Sequence, residues 1–289
     1  MHEINIPVSV GGPGSQPSEE DGASLDILQL PSEMSTFSIP DMAMSDQRDN
    51  LDQGMSSLRE LAQLLRQQAK IESEQPEAID ITALDDANRT LVDQVLGEGE
   101  VSMVYLGRES SARIQESVMA GIWRIRCFDE AGKLTTDTIE VASVPRLCRR
   151  NVFKHAAQRV KSAHQSFPEG VLNAPPLLAE INDKIAEYRS GSEAYVINLT
   201  LLPQTEQDLA FLIEHLGEGP LTILSRGYGN CRITSTAVDN VWWVQYFNSQ
   251  DKNILNTLEI GGVPAVAAAA SEDIQDSAQR LDEIMGAYR

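Results

Sequence analysis

The chain has 289 residues, 43 acidic against 23 basic, and a formal net charge of −20. That length holds one large domain or two small ones, and the charge excludes a general nucleic-acid binder, which needs a basic footprint. Met1–Val10 shows no secretory leader, no apolar run reaches membrane-spanning length, and three scattered cysteines (Cys127, Cys148, Cys231) argue against a disulfide framework, so a cytoplasmic protein without direct membrane insertion is expected.

Residues 1–55 hold ten acidic residues and one Arg, with Phe37 as the sole aromatic. Such a stretch buries too little apolar surface to offset its ordering entropy, which predicts a disordered acidic tail. Its apolar islands, Leu25–Leu30 and Phe37–Pro40, read either as docking motifs or as a clinging tail. An amphipathic helix is predicted over 56–75, from the capping-box form of Ser57-Leu58-Arg59-Glu60 and the apolar face of Leu58, Leu61, Leu64 and Leu65.

The rest of the chain contains one pattern twice. Leu96-Gly97-Glu98-Gly99 recurs as Leu216-Gly217-Glu218-Gly219, Trp123 as Trp242, Phe128 as Phe247, and Val144-Pro145 as Val263-Pro264, at a shift of 120 residues falling to 119. Each repeat opens with a short strand (Ile79–Ile81, Ile197–Leu201) and a helix capped by Asp85 or Thr205 and closed by Gly97 or Gly217. Strands are predicted near 101–106, 112–119, 122–128 and 135–141, matched by 220–225, 231–238, 241–247 and 254–260. Ala120-Gly121 and Asp239-Asn240 form tight turns, and 129–133 and 248–252 form longer ones. Closing helices are predicted over 147–164 and 271–286, with a connector helix over Pro176–Arg189. The expected fold is α+β, two tandem repeats (76–164 and 165–289) packed with pseudo-two-fold symmetry.

Strand alternation assigns faces. Trp123, Ile125 and Cys127, with Trp242, Val244, Tyr246, Cys231, Ile233, Leu258 and Ile260, are expected on the core side. Arg124 and Arg126, with Arg232, Thr234, Thr236, Trp243, Gln245, Thr257 and Glu259, are expected on a solvated side, as in many antiparallel sheets. Trp243 stands where the first repeat has Arg124. Exposure would make it a docking contact, since Trp and Arg are enriched in interface centres; cover by a helix or by the other repeat would make it core.

The loop Ser225-Arg226-Gly227-Tyr228-Gly229-Asn230 is peculiar to the second repeat. It lacks the third glycine and following helix of a phosphate loop. The expected contact surface is Arg226, Tyr228, Asn230, Arg232, Thr234, Trp243, Gln245 and Asn248. A nucleophilic Cys231 would need a base such as His215, but its place opposite Ala112 in the other repeat predicts a buried, inert thiol. There is no C-x-x-C and no ligand spacing among the histidines, so no enzyme, metal site or cofactor is expected. Residues 141–168 carry six cations and no Asp or Glu, which reads as a solvated basic face or as a dock for the acidic tail or an acidic partner.

The strings Ile197–Pro203, Leu216–Gly219, Ile223–Thr236, Asn240–Ser249 and Ile254–Thr257 resemble the C-terminal domain of the hydrogenase expression/formation proteins of the HupH/HyaF/HoxQ type. The resemblance is strong over 177–289, weaker in the first repeat and slight over 1–55. It implies an accessory protein that binds the iron–sulfur small-subunit precursor of an uptake nickel–iron hydrogenase in the cytoplasm before export, alongside a thioredoxin-like accessory partner. An iron–sulfur cluster carrier, or a thiol enzyme acting on the same precursor, is the alternative.

Overall fold

The computed structural model describes residues 51–68, 78–161, 167–227 and 229–287. Of the tail expected over 1–55, residues 1–50 lie outside them, as does the end of the helix predicted to 75, while 52–55 form the first turn of a helix instead of disordered chain. The fold is α+β, built on one fully antiparallel sheet of ten strands.

Helix α1 (Asp52–Gln68) opens the described chain, followed by β1 (Ala78–Asp80) and α2 (Asp86–Leu96). A meander follows: β2 (Val101–Leu106), β3 (Ser111–Glu116), β4 (Ile122–Phe128) and β5 (Leu134–Val141). After α3 (Arg146–Arg150) and α4 (Ala174–Glu187) the order recurs as β6 (Tyr195–Asn198), α5 (Glu206–Leu216) and β7 (Leu221–Ser225), then β8 (Asn230–Ser235), β9 (Val241–Phe247) and β10 (Asn253–Ile260). Helix α6 (Ser271–Ala287) ends it. The sheet order is β1-β5-β4-β3-β2-β7-β8-β9-β10-β6, so β2 and β7 pair at the centre and β1 and β6 form the edges.

Local chemistry follows the sequence closely. Asp85 and Thr205 each accept the backbone N–H three residues on, and Asp208 completes the box at Thr205. Gly97 and Gly217 leave their helices at φ 57° and 62°, where a Cβ is unfavourable. The second glycine of each Leu-Gly-Glu-Gly serves close approach: a Cβ on Gly99 would lie 2.2 Å from Ser117 O, and one on Gly219 would lie 2.4 Å from Thr236 O. Asp129 Oδ1 accepts from the N–H groups of Ala131 and Lys133, as Asn248 Oδ1 accepts from those of Gln250 and Lys252.

Two helix boundaries differ from expectation. Helix α1 begins at Asp52, with Ser57 inside it donating to Gln53 O, because Leu51 and Met55 pack on the core and Gly54 N donates to Asn88 Oδ1 at 2.7 Å. The predicted helix over 147–164 stops at Arg150. There the chain turns away to bond across the molecule: Ala157 N donates to Ala237 O, and Asn182 holds both backbone groups of Val160.

The sheet is covered on both faces. Trp123, Ile125, Cys231, Ile233, Trp242 and Val244 form the front-face core, under Val144, Cys148, Val152 and Ala267. Trp123 and Trp242 donate their indole N–H to Ala142 O and Gly261 O at 2.8 and 3.2 Å. On the back face, α1, α2 and α6 cover the first half, and α4 and α5 cover the second. The expectation of one solvated face is therefore overturned.

The last strand also departs from the expected parity. Leu258 sits opposite Trp243 and Ile260 opposite Val241, on the back face, while Thr257 and Glu259 stand opposite Val244 and Trp242 on the front. A register irregularity between Asn253 and Leu255 shifts the alternation by one, and a one-residue slip exchanges faces.

Each half's closing segment reaches the other half's tight turn. Asp239 N donates to Ala157 O at 2.9 Å, bringing the segment after α3 onto the β8–β9 turn. Ser277 of α6 donates to Ala120 O at 2.9 Å on the β3–β4 turn, and α6 buries Leu281 and Met285 against α1.

Candidate interaction surface

Trp243 is only 3% exposed, and Gln245 1%. Both lie on the back face, where α4 and α5 close over Trp243 with Leu178, Leu212 and Leu258. Its indole N–H donates to Asn256 Oδ1 at 2.5 Å. Thr234 is buried as well. These three of the expected contact residues are core, because the strand alternation places them correctly on β8 and β9 but says nothing of the helices above. A narrow cleft with little more than a water's room reaches the edge of this core, lined by Ile213, Gly217, Glu218, Thr234 and Thr236.

Two other expected residues have counterparts in the first half that do the same work. Arg232 lies over the Phe247 ring at 5.2 Å, as Arg113 lies over Phe128 at 5.3 Å. Asn248 orders its turn as Asp129 does. Their chemistry serves the fold. Tyr228 lies outside the described residues. Arg226, half-buried, lies in the loop between β7 and β8, and Asn230, exposed, opens β8. That loop presses on the first half: Arg226 N donates to Glu100 O at 3.2 Å, and a Cβ on Gly227 would meet the Glu100 carboxylate at 2.1 Å.

Two of the three thiols, Cys148 and Cys231, are poorly placed for chemistry. Burial pushes the Cys231 thiol up to about 12. Cys148 is buried beside Met103, and burial raises its thiol well above the ordinary range. A thiolate nucleophile needs the opposite shift. Among the described residues no group of three or more His, Cys, Asp or Glu is arranged to hold a metal ion. No helix among them is long and apolar enough to cross a membrane.

A different surface stands out at the β6 edge. Val196 is 51% exposed on the outermost strand, and Leu201 is 80% exposed in the loop that follows. Leu202 is beside it, and Leu172, 68% exposed, is brought near by the bond from Asn173 Nδ2 to Pro203 O. Buried Asp208 fixes this neighbourhood by accepting from the backbone N–H groups of Leu172, Asn173 and Ala174 at 2.8–2.9 Å. Burial works against the Asp208 charge, but these bonds and that from Thr205 outweigh it and lower its pKa.

The signal for this surface was present in the sequence. Thr82 and Thr200 play one part, each accepting a backbone N–H from the neighbouring strand (Asp137, Asn256) through Oγ1 at 2.8 Å. From there to the helix cap the first half has Ala83-Leu84, while the second has Leu201-Leu202-Pro203-Gln204. The longer connection carries the exposed leucines. An alignment at one constant shift hides those two extra residues.

The model of the HupH hydrogenase expression protein, C-terminal conserved region, matches this chain twice, at residues 53–166 and 171–288. Both halves thus match, the first including α1. The hydrogenase expression/formation protein HoxQ of Cupriavidus necator is 45% identical over 288 residues, covering 99% of this chain and 98% of its own. HupH of Rhizobium leguminosarum bv. viciae is 46% identical over 80% of each chain, and the hydrogenase-1 operon protein HyaF of Escherichia coli is 31% identical over 94% of this chain and 93% of its own. This identity supports an accessory role in hydrogenase maturation and interaction with maturation components. On a double match that spans both halves of the sheet, the chain belongs to the HupH/HyaF/HoxQ family of hydrogenase expression and formation proteins.

Proposed function

We propose that the chain is a holder for the iron–sulfur small-subunit precursor of an uptake nickel–iron hydrogenase, acting in the cytoplasm before export. The observation that carries this reading is the family match along nearly the whole chain. The acidic balance adds to it, since a field of net charge −20 attracts basic segments of a client. The buried thiols favour a holder over a thiol-dependent enzyme. A thioredoxin-like accessory protein is the second partner of this scheme. Of the residues first expected to bind, Arg226 and Asn230, with Tyr228 between them in sequence, stay in the proposal.

We further infer that the two halves are duplicated copies related by a pseudo-two-fold axis between β2 and β7. Met103 and Ile223, separated by the same 120 residues as the repeated glycines, pair with each other, and that supports an axis through this pair. Each copy then begins with its own helix, α1 or α4, which moves the domain boundaries to about 53–166 and 171–288.

The test is affinity capture of the intact tagged chain from cells making the hydrogenase, with and without the small-subunit gene. Recovery of the unexported precursor, in a complex that reforms from purified components, is expected. A chain that captures only mature or large subunit, and does not bind purified precursor, would refute the holder reading.

A further inference from the structure

We propose that the β6 edge, with Val196, Leu201, Leu202 and Leu172, receives an extended apolar segment of a partner protein, flanked by basic residues, as an eleventh strand. This rests on the holder reading above and names the surface it would use. An edge strand presents unpaired backbone donors and acceptors, which proteins ordinarily hide or blunt with charge. Leu199 N donates inward to Asn256 O at 2.9 Å. Alternation along an antiparallel strand therefore turns the N–H and C=O of Val196 and Asn198 outward. Strand addition takes its affinity from such groups and its selectivity from side chains beside the edge.

The opposite edge lacks these features. There β1 has three residues, and its following connection is the short Ala83-Leu84 with Leu84 packed on the core. Two halves that agree in caps, turns and indole bonds thus diverge at this connection. The second exposes large apolar groups where the first does not.

Charge selects the occupant. Glu169, Glu193 and Glu206 are exposed around the patch. The nearby cations are engaged within the chain: Lys184 Nζ bonds Glu187 at 2.7 Å, and Arg189 donates to the carbonyls of Ala186, Glu187 and Tyr188. Tyr195 adds a ring at the edge, its hydroxyl held by Glu180 at 2.7 Å. An apolar strand with Lys or Arg at its ends fits an apolar edge with a carboxylate rim. A second copy of this chain would set those carboxylates against each other.

The experiment uses the full chain and purified small-subunit precursor, reading affinity by titration and contact by hydrogen exchange. Val196→Pro removes an outward N–H that the sheet does not use; Leu201→Lys removes an apolar contact; Ala83→Lys is the control in the first half. The expected result is slowed exchange over 195–202 on binding and Kd weakened about tenfold or more by each second-half variant, with Tm unchanged and Ala83→Lys like wild type. If Val196→Pro lowers Tm, Leu201→Lys decides. Wild-type binding with protection elsewhere, and undiminished affinity in Leu201→Lys, would overturn the edge proposal and leave the holder reading standing. Failure of the wild type to bind the precursor would overturn both. A wild-type dimer in sedimentation that Leu201→Lys dissolves would assign the edge to a second copy and likewise overturn the proposal.

Discussion

The bond between the Trp243 indole N–H and Asn256 Oδ1 occupies the place where the first half sets Arg124 against Asp137. In the first half, Arg124 Nε and Nη2 donate to the two carboxylate oxygens of Asp137 at 2.9 and 2.8 Å, with Arg124 also paired to Asp93. Two solutions thus fill one back-face position, a buried ion pair and a neutral indole–amide pair. Breaking either is costly in a different way. Trp243→Ala is expected to cost about 3–5 kcal/mol as a cavity, and Asp137→Ala about 3–5 kcal/mol by leaving a buried guanidinium with one partner fewer. Denaturant unfolding of each variant checks this. A Trp243→Ala protein as stable as wild type would mean the ring is not core.

Glu116 makes the fold pH-sensitive. Burial pushes its carboxyl up to about 7, the charge of Glu100 adds to the rise, and the bond from Gly121 N partly opposes it. A carboxyl raised in the folded state favours folding when protonated. Its contribution is full below the unfolded value of 4.5 and is lost as pH rises to about 7. The loss is on the order of 3 kcal/mol. Glu116→Gln keeps an acceptor for Gly121 and cannot ionise. It should match wild type near pH 4.5 and exceed it above pH 7 in urea unfolding. Equal stability at both ends would refute the shift.

Cysteine reactivity should follow burial. Cys127 is half-buried, whereas Cys148 and Cys231 are buried. Timed alkylation with iodoacetamide, read by mass spectrometry, is expected to label Cys127 first and the other two only on unfolding. Rapid native labelling of Cys231 would revive the thiol-enzyme alternative.

The glycines of the repeated Leu-Gly-Glu-Gly give a paired prediction. Gly99→Ala and Gly219→Ala each place a methyl against a backbone carbonyl oxygen, which cannot rotate away. Both should lower stability by about 1–3 kcal/mol, with matching Tm losses in thermal unfolding. A loss confined to one would mean that the two turns are not held alike.

What was legible in the sequence is what depends on neighbours along the chain. Asp85 and Thr205 announce their helices because a cap acts over three residues. Gly97 and Gly217 end them because one backbone angle demands it. The pairing of Trp123 with Trp242 fixed the front-face core. What failed depends on distant elements. Strand alternation put Trp243 and Thr234 on one side but could not reveal α4 and α5 above them. The irregularity at Asn253 reversed the faces of Leu258 and Thr257. The apolar run after Arg146 has helical spacing, yet Ala157 is drawn out to bond Ala237. The exposed Leu201 was in plain view as a length difference between repeats, and matching at a constant shift concealed it.

The reach of α6 onto the β3–β4 turn has a consequence for synthesis. Leu281 and Met285 belong to the core beneath α1, so the half that leaves the ribosome earlier is completed by residues made only after the second half. Until then α1 and α2 cover that half alone, and the apolar side chains that meet α6 face water.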